Sequence, residues 1–267
     1  DDPMRIALAQ MNPTVGDIAG NARKIGRFVD EAKQGGARLV VFGELAMVGY
    51  PPKDLLLMPQ FIEDARAALH RVAAGVSGID VIVGYPEKNA GPGRPLHNAV
   101  ALLRDGKVAS RHFKTLLPTY DVFDETRYFE PGPPDEPNSI AEIASTPVGL
   151  SICEDLWNDE RLIGRQLYHE NPIADLSAAG ASILVNASAS PFVVDKHAFR
   201  IRLFGEQVRR YGRPLVYVNQ VGGNDELVFD GNSMVFDARG EVIAQAKDFE
   251  EDLLIAEVGE GAPGGRR

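Results

Sequence analysis

Along the chain, apolar runs of four to seven residues alternate with longer stretches whose apolar positions recur at helical spacing. Arg5–Gln10, Arg38–Phe42 and Asp80–Tyr85 read as strands. Between them, Asp17 is placed to cap a helix to about Gln34, with Ile25, Phe28, Val29 and Ala32 on one face and Gly35-Gly36 as the stop. Pro59–Ala74 has the same period, which directs Phe61, Ala65, Leu69 and Val72 inward. Leu96–Leu103 and Lys107–Phe113 flank Asp105-Gly106 and predict a hairpin. Thr115–Asn138, rich in proline and polar residues, predicts a long loop of the kind that often carries function. Thr146–Cys153 predicts a strand that ends on the cysteine. A helical stretch over Asp159–Ala179, interrupted at Asn171-Pro172, precedes a strand at Ser182–Asn186 and a helix at His197–Tyr211. Strands at Leu215–Asn219, Met234–Asp237, Val242–Ala246 and Leu253–Val258 complete the pattern, with Arg239-Gly240 at a turn. The mixture of βαβ and hairpin connections predicts a layered α/β domain with mixed sheets. No internal repeat or domain boundary is visible. Gly259–Arg267, glycine-rich and polar, reads as a frayed tail or the start of a linker.

Composition narrows the classes. With 267 residues, 44% hydrophobic and 25% charged, the chain has the profile of a globular protein with a substantial core. No stretch approaches the roughly 20 apolar residues of a membrane helix, and the acidic start does not resemble a secretory leader. A net charge of −10 argues against nucleic acid or an anionic membrane as partner, while leaving room for a small anionic substrate. The single cysteine, Cys153, rules out an internal disulfide and a zinc site built on several cysteines. The five histidines show no metal-ligand spacing, so no metal is expected, and a cytoplasmic location is the default.

Three segments carry candidate chemistry. Val40–Glu44 is a buried-strand pattern that delivers Glu44 to a sheet edge, where partial burial suits a carboxylate to general-base work. Alone, Glu44 reads more readily as a solvated loop residue. Lys114 follows a hairpin strand and opens the long loop. Its ammonium could stabilise an oxyanion, although a lone lysine there is more often simply exposed. In Val148–Asp155 a strand delivers Cys153 to a turn, as in a nucleophile elbow, and a buried structural thiol is an equal reading. Together the three supply complementary roles: a base for the thiol proton, a cation for the oxyanion and a nucleophile. No Cys–His pair can be inferred from the sequence, although His112 or His169 could approach the thiol.

In this order the segments resemble the nitrilase, or carbon–nitrogen hydrolase, superfamily with its Glu–Lys–Cys triad. The likeness spans residues 4–258 and includes Asn12–Asp17 and Tyr120–Gly132. It is strongest to the glutaminase domains of glutamine-dependent NAD+ synthetases, carried by Gly49–Leu56, Lys114–Tyr120, Cys153–Trp157 and Asn186–Phe192. Many other relatives have an aromatic residue after the cysteine, where this chain has Glu154.

The resemblance implies a four-layer α-β-β-α sandwich, usually oligomeric through its outer helices. It implies Glu44 as base, Cys153 as nucleophile and Lys114 as oxyanion stabiliser, with the Glu154 N–H as a second donor. Glu125 matches a glutamate that positions substrate beside the lysine. Tyr50, Tyr120, Glu154, Ser190 and Lys196 match positions that hold glutamine. Charge logic agrees in part, since Glu154 can pair an ammonium and Lys196 a carboxylate. Glutamine is the expected substrate, hydrolysed through a Cys thioester without any cofactor. ATP, Mg2+ and deamido-NAD are expected only at a ligase domain that this chain lacks. The alternatives are a stand-alone amidase or ω-amidase acting on small carboxamides, and a non-catalytic scaffold.

Overall fold

The structure, a computed structural model, describes residues 2–120, 123–133, 139–158, 168 and 170–260. The opening apolar run forms β1 (Met4–Gln10), and Asp17 caps α1 (Ile18–Gln34) by accepting the Gly20 N–H. β2 (Leu39–Val41) follows, then α2 (Pro59–Ala74), β3 (Asp80–Lys88), β4 (Leu96–Arg104) and β5 (Lys107–Phe113). The second half comprises β6 (Ile140–Ile143), β7 (Thr146–Ile152), α3 (Pro172–Ala178), β8 (Ile183–Ala187), α4 (Lys196–Tyr211) and β9 (Leu215–Val218). β10 (Val221–Asn224), β11 (Leu227–Asp230), β12 (Met234–Phe236), β13 (Val242–Gln245) and β14 (Asp252–Val258) close the fold.

Among the described residues the strands form two six-stranded mixed sheets, ordered β14-β1-β2-β3-β4-β5 and β13-β12-β9-β8-β7-β6, and a separate β10-β11 hairpin. Each large sheet has three adjacent parallel strands, β1-β2-β3 and β9-β8-β7. The apolar residues divide into three cores, as an α-β-β-α sandwich requires. Ile25, Val29, Ala65 and Leu69 pack with Val40 and Val83 under α1 and α2. Ile6, Leu8, Val41 and Ile82 face Val148, Leu150, Val185 and Val216 between the sheets. Leu176, Leu203 and Phe204 cover Leu184 and Tyr217 under α3 and α4. Side chains alternate along each strand, so period-2 patterning feeds two cores at once. Gln10 ties the sheets together, donating to the Lys247 and Glu250 carbonyls and accepting from Ser233 N–H and Oγ. Among the described residues no helix is long and apolar enough to cross a membrane.

Several expectations need correction. Phe61 and Val72 of α2 pack against the core but stay half-buried, while Ile62, Ala68 and Ala73 join Ala65 and Leu69 fully inside. The strand expected to end on Cys153 stops at Ile152, and Cys153 begins a short 3-10 turn, Cys153–Leu156. β6 and the β10-β11 hairpin were not expected. β6 is only four residues long and turns through Ala144 and Ser145, both at positive φ without a glycine to announce them. In the expected helix 159–179, residues 159–167 and 169 lie outside the described residues, and helix is present from Pro172. Residues 121–122 and 134–138 of the long loop and residues 261–267 of the tail also lie outside them.

Candidate active site

The parallel strands of both sheets deliver their C-terminal ends to one place, the usual site of ligand crevices in α/β sheets. Glu44 leaves β2 there, Cys153 leaves β7, and Ser188–Ser190 leave β8. The Glu44 N–H donates to the Ser188 carbonyl at 3.2 Å, and the Ala189 N–H donates to Glu44 Oε2 at 3.2 Å, so the two sheets meet at the carboxylate. Glycine makes this approach possible. A Cβ on Gly43 would lie 2.8 Å from the Ser188 carbonyl oxygen, and one on Gly84 of β3 would collide with Leu45 N and Gly43 O.

Glu44 is fully buried and is not the solvated loop residue it resembles in isolation. Its Oε1 accepts from Lys114 Nζ at 2.6 Å and from Asn98 Nδ2 at 2.7 Å. Lys114 is buried as well, and a second bond from Nζ goes to Glu125 Oε1 at 2.9 Å. Tyr50 donates its hydroxyl to the same Glu125 oxygen at 2.8 Å. Burial opposes the charge on Lys114, but Glu125 and Glu44 outweigh it and hold its pKa well above the ordinary value. An ammonium has three donors, and two carboxylates take two of them, which leaves one for a further acceptor.

Cys153 is half-buried, with its backbone at φ +41°. That conformation is uncommon outside glycine and marks the sharp turn of an elbow. Burial pushes the thiol pKa up, Glu44 pushes it further, and Lys114 opposes. The thiol therefore rests protonated and needs a base to become a nucleophile. His112 shares a hydrogen bond with Ser110 Oγ through Nε2 on its own strand, and His169 lies outside the described residues.

The other expected residues surround this centre. The Glu154 carboxylate accepts the Tyr120 hydroxyl at 2.8 and 2.9 Å and the Tyr168 hydroxyl at 2.8 Å. Tyr120 keeps 47% exposure, so it stands at the rim. Lys196, the first residue of α4, is half-buried, with Nζ 5.3 Å above the Trp157 ring and donating to the Pro191 carbonyl at 3.0 Å. Burial, and after it the charge of Arg200, lowers its pKa to about 8. Ser190 is buried; its N–H donates to Asn219 Oδ1 at 2.8 Å and its Oγ accepts from Arg200 Nη2 at 3.0 Å. A cavity of about 170 Å³ adjoins Tyr50 and Glu125, but neither Cys153 nor Glu154 lines it.

Sequence reasoning missed Asn98, Tyr168 and Arg200. Arg200 is wholly buried, donating to Asp230 Oδ2 at 2.7 Å and to the Ser190 and Pro191 carbonyls at 3.0 and 3.2 Å. It had a legible signal, because Arg200 shares the i, i+3, i+4, i+7, i+8 stripe of α4 with the buried Leu203, Phe204, Gln207 and Val208. A charge on an apolar stripe needs a partner. Asn98 is likewise a buried polar residue, next to His97 and ahead of the apolar run Ala99–Leu103 of β4.

Glu125 gives a pH prediction. Burial raises its carboxyl to about 7 against the opposing pull of Lys114. The folded state thus favours the protonated form; that stabilisation is full below the ordinary carboxylate range and is lost as pH rises through about 7. Glu125→Gln cannot titrate. Its thermal midpoint relative to the natural protein is expected to be higher at pH 8 than at pH 5, and an unchanged difference would contradict this reading.

The family model for carbon-nitrogen hydrolase matches residues 5–261. A glutamine-dependent NAD(+) synthetase from Synechocystis is 42% identical over 255 residues, which are 94% of this chain and 45% of that protein. The synthetase of the same name from Thermotoga maritima is 39% identical over 258 residues, 96% of this chain and 42% of its own length. The chain therefore spans less than half the length of these curated relatives. The structure of glutamine-dependent NAD+ synthetase from Acinetobacter baumannii in complex with ADP superimposes with a TM-score of 0.86 at 33% identity, over 99% of this chain and 49% of that one. An amidase from Nesterenkonia superimposes with a TM-score of 0.80, over 97% of this chain and 91% of its own; at 24% identity it speaks for the fold alone.

Proposed function

The chain belongs to the carbon–nitrogen hydrolase family, and on that premise we propose that it hydrolyses the side-chain amide of glutamine to glutamate and ammonia through a thioester on Cys153. The observation that carries this is the buried Glu44–Lys114–Glu125 cluster beside a protonated thiol at a strand end. Glu44 takes the Sγ proton as sulfur attacks the amide carbon. The resulting oxyanion is met by the remaining Lys114 donor and the Glu154 N–H. Glu44 returns the proton to nitrogen, the C–N bond breaks and ammonia leaves. A water deprotonated by Glu44 then attacks the thioester, the C–S bond breaks, and Glu44 returns the proton to sulfur.

Substrate choice is set at the rim. Glu154, held by Tyr120 and Tyr168, suits the α-ammonium of glutamine, and Lys196 suits its α-carboxylate, with Ser190 and Tyr50 shaping the seat. In the longer protein implied by its relatives, the ammonia would serve amidation of deamido-NAD at an ATP- and Mg2+-dependent domain. The test is turnover. Glutamine should yield equal amounts of glutamate and ammonia, and Glu154→Gln should raise KM for glutamine tens-fold or more, about the 1.5–3 kcal/mol of a charged hydrogen bond. Cleavage of small aliphatic amides with glutamine left intact would defeat the substrate assignment.

A further inference from the structure

β6 accompanies β7 only as far as the Ile140–Gly149 pair, and the Leu150 N–H is the last on that edge to find backbone, at the Ser139 carbonyl. The next N–H on the same edge, that of Ile152, instead donates to Asp155 Oδ2 at 3.0 Å. At the other sheet, β5 ends at Phe113 and the Lys114 N–H still bonds to the Asn98 carbonyl at 2.8 Å. The two N–H groups after it, of Thr115 and Leu116, both donate to Asp155 Oδ1, at 3.2 and 2.8 Å. A single carboxylate, 3% exposed, therefore joins the residue before Cys153 to the two residues after Lys114.

We propose that Asp155 is a positioning residue that sets Lys114 against Cys153 by bridging the chain ends that carry them. This rests on the reading that both groups act on one substrate carbonyl. Three converging N–H groups need two acceptor oxygens on a short stem with no donor, which among side chains is an ionised aspartate. The bond from Ile152 N to Asp155 also closes the turn around Cys153, whose positive φ persists only if its surroundings fix it. Burial raises the Asp155 carboxyl to about 6, against the backbone donors of Ile152 and Leu116, so it is an acceptor at neutral pH. Displacements of about 1 Å between reacting groups cost on the order of 100-fold in rate.

Asp155→Asn tests this, because it keeps the shape but puts an NH2 where one N–H needs an acceptor. Expected are a fall in kcat of tens-fold or more with KM within about threefold, scaled from the same misplacement cost, and slower alkylation of Cys153 by iodoacetamide. The alkylation assay uses no glutamine, so it stands even if glutamine is not the substrate. A merely structural Asp155 would lower the thermal midpoint while the folded variant kept natural kcat and alkylation rates, and that result would overturn the proposal. Should the variant not fold, hydrogen exchange on the natural protein decides. Slow exchange at the Ile152, Thr115 and Leu116 amides at neutral pH supports the bridge, and fast exchange at all three rejects it.

Discussion

Cys153→Ala is expected to lower kcat for glutamine hydrolysis by roughly six orders of magnitude, the scale seen when a covalent nucleophile is removed. The substitution deletes one sulfur and keeps Cβ, so the φ +41° backbone is neither relieved nor worsened. Stability should change by no more than about 1 kcal/mol, since little buried volume is lost. Because the thiol rests protonated under the influence of burial and Glu44, the natural enzyme carries no standing thiolate counter-charge that the surrounding cluster would miss. The Glu154 and Lys196 groups at the rim are untouched, and glutamine should still bind by calorimetry. Acid-quenched natural enzyme should show a mass increment of one glutamyl group on the Cys153 peptide, absent in the variant. Ammonia release at an undiminished rate would remove Cys153 from the chemistry altogether.

Much of this site was legible because its members sit where strands stop. Val40-Val41-Phe42-Gly43 and Gly149-Leu150-Ser151-Ile152 announce buried strands by their apolar and small residues, and the residue after such a strand lies at a sheet edge. Sequence periodicity could not supply which edges meet. The contact between Glu44 and Ser188–Ala189 joins residues nearly 150 positions apart through a backbone approach that only glycine at 43 permits. The family likeness, and not the pattern, brought Glu44, Lys114 and Cys153 together in advance. Arg200 shows the other limit. Its charge belongs to the polar half of any composition count, yet its position belongs to the apolar stripe of α4, and the two signals conflict until Asp230 is found beside it. Tyr168 offered no signal of its own, being a lone aromatic in a stretch read as helical.

Lys114→Met is expected to damage stability and catalysis together, and a second substitution separates them. The ammonium is the common partner of Glu44 and Glu125, whose side chains are 0% and 6% exposed. Removing one member of a buried ion pair costs about 3–5 kcal/mol because the remaining charge is left uncompensated. Here two carboxylates lose the same cation. The easier escape is protonation of Glu125, already raised to about 7 with the lysine present. Without Lys114 its pKa moves higher, so the penalty should be smaller at pH 5, where Glu44 alone is left stranded, and grow as pH rises through and beyond 7, by chemical denaturation at each pH. Adding Glu125→Gln removes one of the stranded charges and should recover part of the lost stability at pH 8. Turnover should not recover with it. The oxyanion donor is still missing, a loss of about 100- to 1,000-fold, and among the described residues Glu44 keeps the Asn98 and Ala189 donors to orient it. If the double variant instead hydrolyses glutamine at the natural rate, Lys114 is a counter-ion for two buried carboxylates and the oxyanion must be stabilised elsewhere.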